Sequence, residues 1–193
     1  MAQRMHTQPL PLTTAVPART TLIRQGDPCL RAWTVVSGVL IERVVSPDGR
    51  LLIPRLPGPG DLIGGVDGQA SPVGVVAIRR SAIRVATPAE LEAGLATRER
   101  EALAFAAQVA WLDTPTAIDR RLRQIAERFG RNVAGGTAVG LTLTQEELGA
   151  FAGTTRESAN RAVAGLVRRG ALVRLARGRY LVRTQLRSVP ARA

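Results

Sequence analysis

The stretch TTRESANRAVAGLVRRG, residues 154–170, opens on a helix-capping hydroxyl, Thr154 or Thr155, and closes on Gly170. Its first two turns carry Arg156, Glu157, Asn160 and Arg161. Ala159, Val163, Leu166 and Val167 recur at helical spacing and so share one face, leaving the polar side chains on the other. A helix start that bears long side chains able to make paired hydrogen bonds suits the major groove of DNA.

The flanking sequence gives this helix a context. Thr144-Gln145-Glu146-Glu147 is a capping box, with Thr144 as cap and Glu147 three residues on. The helix it starts should end near Phe151-Ala152-Gly153, and the next begins at once. Two helices separated by about three residues with a glycine between them make a helix-turn-helix. After Gly170, Leu172–Leu175 and Tyr180–Arg183 flank Ala176-Arg177-Gly178-Arg179. That is a hairpin, or wing, whose tip arginines, Arg177 and Arg179, suit phosphate. Thr144, Gln145, Thr154, Thr155 and Asn160 are expected to support the reading helix or touch phosphate. Arg168 and Arg169, at its far end, should meet terminal carbonyls or phosphate.

Charge agrees with an anionic partner. The 193 residues carry a net charge of +12, and all 27 basic residues are arginine. A GC-rich genome accounts for the missing lysine, so the placement of charge says more than its type. Residues 1–95 hold ten arginines against seven acids, whereas residues 96–193 hold seventeen against eight. The excess lies in the C-terminal half, where nucleic acid is the usual partner and a solvated basic face is the alternative.

Other classes find little support. The single histidine, His6, lies in a Pro- and Thr-rich tail, and the single cysteine is Cys29. No nucleophile–base pair, metal-ligand set or internal disulfide is expected from these, so neither an enzyme nor a metal or cofactor is predicted. Neither glycine-rich segment can be a GxxxxGK[ST] phosphate loop without lysine. No membrane-spanning stretch or signal peptide is evident, and the protein is expected in the cytoplasm.

Upstream, residues 1–18 lack periodicity and read as a flexible tail. From about 20 to 86, short β-type runs alternate with turns: Trp33–Ser37, Val39–Val45, Leu51–Arg55, Asp61–Ile63, Val73–Ile78 and Ile83–Ala86. Ser46-Pro47-Asp48-Gly49 and Gly58-Pro59-Gly60-Asp61 are the strongest turns. This spacing predicts a small barrel or sandwich over residues 19–94. Pro88 opens a short helical piece, Ala89–Ala93, and a longer helix should span residues 95–113. In it Leu95, Ala102 and Val109 recur every seventh residue, as do Arg98, Phe105 and Leu112. This imperfect seam could pack on the chain's own β domain or on a second copy, and a helix between two domains favours the second copy. Leu95, Ala102, Phe105, Val109 and Leu112 are therefore the expected dimer contacts. A further helix should start with Thr114 as cap and Pro115 at its first position, run through Ile118, Leu122, Ile125, Ala126 and Phe129, and end at Gly130. A glycine-rich loop, Val133–Gly140, links it to the helix-turn-helix.

This order of parts resembles the catabolite activator and fumarate–nitrate regulator (CRP/FNR) family of bacterial transcription factors over roughly residues 20–185. VVSGVLIERVVSPDGRLLIPRLPGPGDLIGG, residues 35–65, is similar to the family's β-roll with its SG and GPGD turns. LTQEELGAFAGTTRESANRAVAGLVRRGAL, residues 143–172, is similar to its helix-turn-helix. The resemblance implies an α+β fold: a cyclic-nucleotide-binding-like β-roll, a dimerisation helix, and a winged helix-turn-helix over residues 114–193. It implies a homodimer on an inverted-repeat site in double-stranded DNA, with activation through RNA polymerase. The family reads bases with an Arg-Glu pair and a second Arg four residues after the Glu, matched here by Arg156, Glu157 and Arg161.

The sensor half departs from the family pattern. Nucleotide-binding members carry Glu where this chain has Gly65, and an Arg-Ser phosphate loop about where it has Val73-Gly74. Arg79-Arg80-Ser81-Ala82 has the letters of that loop but sits beside the last strand. Cyclic AMP is thus not expected as a ligand. The alternative is a non-standard small molecule in the β-roll.

Overall fold

The computed structural model describes residues 13–176 and 178–183. The chain forms two compact units that divide between Leu103 and Ala104.

Among the described residues, the first unit has eight short antiparallel strands. One sheet has the order β1 (Thr14–Val16), β8 (Ser81–Val85), β3 (Ala32–Ser37), β6 (Leu62–Gly64). The other runs β2 (Thr21–Ile23), β7 (Gly74–Ala77), β4 (Leu40–Val45), β5 (Leu51–Arg55). Val35, Ile63 and Ile83 of the first sheet meet Leu40, Val75 and Ala77 of the second in one apolar core. Both expected turns form: the first closes the β4–β5 hairpin, with the Ser46 amide donating to the Arg50 carbonyl at 2.9 Å, and the second carries the chain from β5 to β6 in the other sheet, with the Gly58 amide donating to the Asp61 carboxylate at 2.7 Å.

Three features of this unit differ from expectation. Thr14–Val16, placed in the flexible tail by sequence, is β1, with Thr14 opposite Ile83 and Val16 opposite Ser81. Three residues are too few to show alternation, and the partner strand lies far along the chain. Thr21–Ile23, likewise too short to stand out, pairs with β7. The two helical pieces are one helix, α1 (Pro88–Trp111). Gly94 falls between the two expected pieces, and there the helix lies close against the sheet. A Cβ there would lie 2.5 Å from Cβ of Leu62.

The second unit contains the end of α1, then α2 (Thr114–Phe129), α3 (Gln145–Ala152) and α4 (Arg156–Arg168). A four-stranded sheet has the order β11 (Leu172–Ala176), β12 (Arg179–Arg183), β10 (Gly136–Ala138), β9 (Arg131–Val133). The expected loop Val133–Gly140 is thus partly the β9–β10 hairpin, which extends the wing through pairing of Thr137 with Val182. The cap of α2 is Asp113 rather than Thr114; its carboxylate accepts from the Thr116 amide at 2.9 Å. Ile118, Leu122, Leu148, Ala159, Val163 and Leu172 are fully buried among these elements. Among the described residues, no helix is long and apolar enough to cross a membrane.

Candidate nucleic-acid interface

The capping box at the start of α3 forms as its sequence implies. The Thr144 hydroxyl accepts from the Glu147 amide at 3.0 Å, and the Thr144 amide donates to the Glu147 carboxylate at 2.8 Å. The hydroxyl of Thr144 is therefore committed to the helix start. Gln145 donates from Nε2 to the Tyr180 hydroxyl at 2.6 Å, tying α3 to β12. Its Oε1 is buried with no hydrogen-bond partner among the described residues.

The turn between α3 and α4 depends on two glycines. Gly153 has φ 74°, a left-handed conformation that other residues enter at a cost. Gly149 lies against the start of the next helix. A Cβ at that position would fall 2.9 Å from the carbonyl oxygens of both Thr154 and Thr155. Thr155, one of the two expected caps, starts α4 and accepts from the Ser158 amide at 3.2 Å. The Thr154 hydroxyl instead meets that of Thr114, at 3.3 Å.

Helix α4 separates its faces. Ala159, Ala162, Val163 and Leu166 are buried, while Arg156, Glu157, Asn160 and Arg161 are exposed. Val167, expected on the apolar face, is only half-buried, and Ala162 takes its place. Arg161 donates from Nη2 to the Ser158 hydroxyl at 3.1 Å, which holds its guanidinium over the first turn. The amides at this helix start and the positive end of its dipole add to the attraction for anions.

Arg161, Arg168, Arg169 and Thr114 line one groove of about 330 Å³ between α4 and the start of α2. Sequence spacing separated Arg168 and Arg169 from the reading head; the fold brings them to the same groove. It also brings in the α2 start, which the sequence marked as a helix start but not as part of this surface. Hydrogen bonding from Thr116 holds the Asp113 carboxyl there below its ordinary range, with a smaller contribution from the charge of Arg169. On the wing, Arg174 and Arg179 are exposed, whereas Arg177 lies outside the described residues, as does His6. Gly178 at the tip accepts from the Leu143 amide at 3.1 Å, anchoring the wing beside the capping box.

In the β-roll, the residues expected at the positions of ligand contacts are apolar or small. Gly65 donates its amide to the Arg31 carbonyl at 3.1 Å, and Val73 is buried. Ser81 donates to the Arg79 carbonyl at 2.9 Å, while Arg79 and Arg80 face solvent in the adjoining turn. Sequence reasoning missed a cluster of charge beneath this surface. Glu42, at 2% exposure, accepts from Nη1 of Arg55 at 3.1 Å, and Arg55 also donates from Nε to Glu101. Arg98 lies 3.6 Å from Glu42 and donates to the Gly64 carbonyl at 2.6 Å. Burial opposes the charge on Arg55, but the attraction of Glu42 and Glu101 outweighs it and raises its pKa. A second cavity, of about 370 Å³, is lined by Leu22, Ile23, Pro28, Leu30 and Trp33. Cys29, Asp27 and Arg31 complete its wall.

A β-roll joined in sequence to a winged helix-turn-helix defines a DNA-binding transcription regulator with a sensor-like domain. Comparison with known proteins narrows the class. Residues 118–188 match the Crp-like helix-turn-helix domain. The chain is 29% identical over 167 residues to the "CRP-like cAMP-activated global transcriptional regulator" of Mycobacterium tuberculosis, covering 78% of this chain and 75% of that one. Its fold is similar to a CRP/FNR-family transcriptional regulator from Thermus thermophilus, with TM-score 0.79, 22% identity and coverage of 90% and 94%. It is also similar to the c-di-GMP responsive regulator CLP of Xanthomonas campestris, with TM-score 0.78, 20% identity and coverage of 90% and 94%. The chain thus carries a Crp-like helix-turn-helix domain over residues 118–188 and shares the fold of regulators of the CRP/FNR family.

Proposed function

We propose that this regulator acts as a homodimer on an inverted-repeat DNA site, without cyclic AMP, and that it activates transcription by contacting RNA polymerase. The observation that carries the reading is the exposed triad Arg156, Glu157 and Arg161 on a helix whose other face is locked into the unit. Arginine can donate two hydrogen bonds to guanine O6 and N7, and glutamate can accept from cytosine N4. Exposed Leu95, Ala102 and Val109 on α1 support dimerisation, and exposed Leu103 adds to that apolar surface. Arg98 and Phe105, from the second row of the expected seam, also make contacts within their own units. Neither an enzymatic activity nor a resident cofactor forms part of this reading.

Independence from cyclic AMP is supported by Gly65, by the apolar strand that begins at Gly74 beside Val73, and by the buried pair Glu42 and Arg55 with the partly exposed Arg98 and Glu101 beside it. Inside the roll Glu42 and Arg55 satisfy each other, so their charges are already committed to protein partners. The test is binding of nucleotide-stripped protein to its selected site. Equal affinity with and without added cyclic AMP is expected; binding that appears only with the nucleotide overturns this part. In vitro transcription with purified polymerase decides the sign of regulation, and rising transcript is the expected result.

A second reading, an effector-dependent regulator with a non-standard ligand, is favoured by the cavity around Leu30 and Trp33. The mycobacterial relative, named as cAMP-activated, keeps effector control open for this chain.

A further inference from the structure

We propose that Arg121, on α2, is a positioning residue for DNA reading: it fixes the end of α3, and hence the start of α4, against the last turns of α1. The inference rests on the proposed function of α4 as the reading helix.

Arg121 is 8% exposed, so its charge is largely removed from water. Its guanidinium lies over two aromatic rings, 4.4 Å from the centre of Phe151 on α3 and 4.9 Å from the centre of Phe105 on α1. In the plane of the group, Nε donates to the Phe151 carbonyl at 2.9 Å and Nη1 donates to Oε1 of Gln124 at 2.9 Å. Phe151 is the penultimate residue of α3, and its carbonyl is among the last four, which have no partner within the helix. A cation there also complements the negative end of the helix dipole.

The neighbours act on the same few residues. Gln108, buried on α1, donates to the Ala152 carbonyl at 3.5 Å. Val109 packs where a side chain on Gly153 would have to go, with its Cγ2 2.6 Å from that position. Two residues beyond Gly153, Thr155 caps the reading helix. Holding Phe151 therefore sets the origin from which Arg156 and Glu157 project. Only arginine can stack on both rings while donating in its own plane; lysine keeps the charge but has no planar fork.

The test compares wild type, Arg121→Lys and Arg121→Met on the DNA site selected by the wild-type protein and on random-sequence DNA, over a range of salt. The expected result is a loss of about tenfold or more on the selected site for both variants, the scale of one charge-assisted hydrogen bond. Affinity for random DNA and its salt slope should stay at the wild-type value, because phosphate contacts are unchanged. R121K should also keep its circular dichroism and melting temperature. A wild-type specificity ratio in both variants overturns the inference. So does a parallel fall of specific binding, random-DNA binding and melting temperature, which would make Arg121 structural only. If wild-type protein prefers no sequence at all, the proposed function itself fails.

Discussion

Arg161 and Glu90 carry the sharpest expectations for single residues. Arg161→Ala should relax selection at one base pair in each half-site, at a cost of about 1–3 kcal/mol for the correct base. Binding measured across a panel of site variants checks this. Uniform weakening on every sequence would make Arg161 a phosphate contact. Glu90 accepts from both terminal nitrogens of Arg84, from the Thr87 amide and from the Thr34 hydroxyl. These bonds, Arg84 foremost, hold its pKa near 2, below the ordinary 4.5. A depressed carboxyl stabilises the fold above its unfolded value and loses that contribution as pH falls towards the folded one. Glu90→Gln should therefore lower the melting temperature at neutral pH. The gap to wild type should close as pH drops from about 4.5 to about 2; a gap constant over that window would contradict the assignment.

At the scale of elements, the helix-turn-helix was legible because its signals are local. Caps, a capping box, a turn glycine and two apolar stripes all lie within residues 143–172. Of the strands that were missed, β1, β2 and β10 depend on distant partners, while β9 pairs only with β10. β1 pairs with residues 81–83, and β10 pairs with residues 181–183. The T-x-x-E box of Thr87 and Glu90 beside Pro88 is a local signal for the start of α1, whereas the close packing of Gly94 on Leu62 depends on a strand distant in sequence. The buried Glu42–Arg55 pair looks in sequence like ordinary surface charge on alternating strands; only the roll turns it inward. Gly149→Ala should destabilise the C-terminal unit by about 1–3 kcal/mol, because the added methyl meets backbone that cannot swing away. Thr144→Ala should cost about 1 kcal/mol through loss of the cap. Denaturant unfolding measures both, and a neutral Gly149→Ala would mean that the turn can open without cost.

At the scale of the whole molecule, the account requires two copies. Leu103 is 72% exposed, so Leu103→Glu costs little within one copy but places a charge in the proposed seam. Sedimentation should show wild-type dimer and mutant monomer, with melting of the separate copies unchanged. A mutant that remains dimeric would move the interface elsewhere. The basic excess of the C-terminal half predicts steep loss of DNA affinity with salt, one step for each phosphate neutralised. The central claim is that paired α4 helices read sequence through Arg156, Glu157 and Arg161. Selection from random double-stranded DNA by nucleotide-free protein tests it most directly. The predicted result is an inverted repeat with G–C-rich half-sites whose centres lie roughly 34–36 Å apart, one helical turn. No enriched sequence, or one without two-fold symmetry, would contradict it.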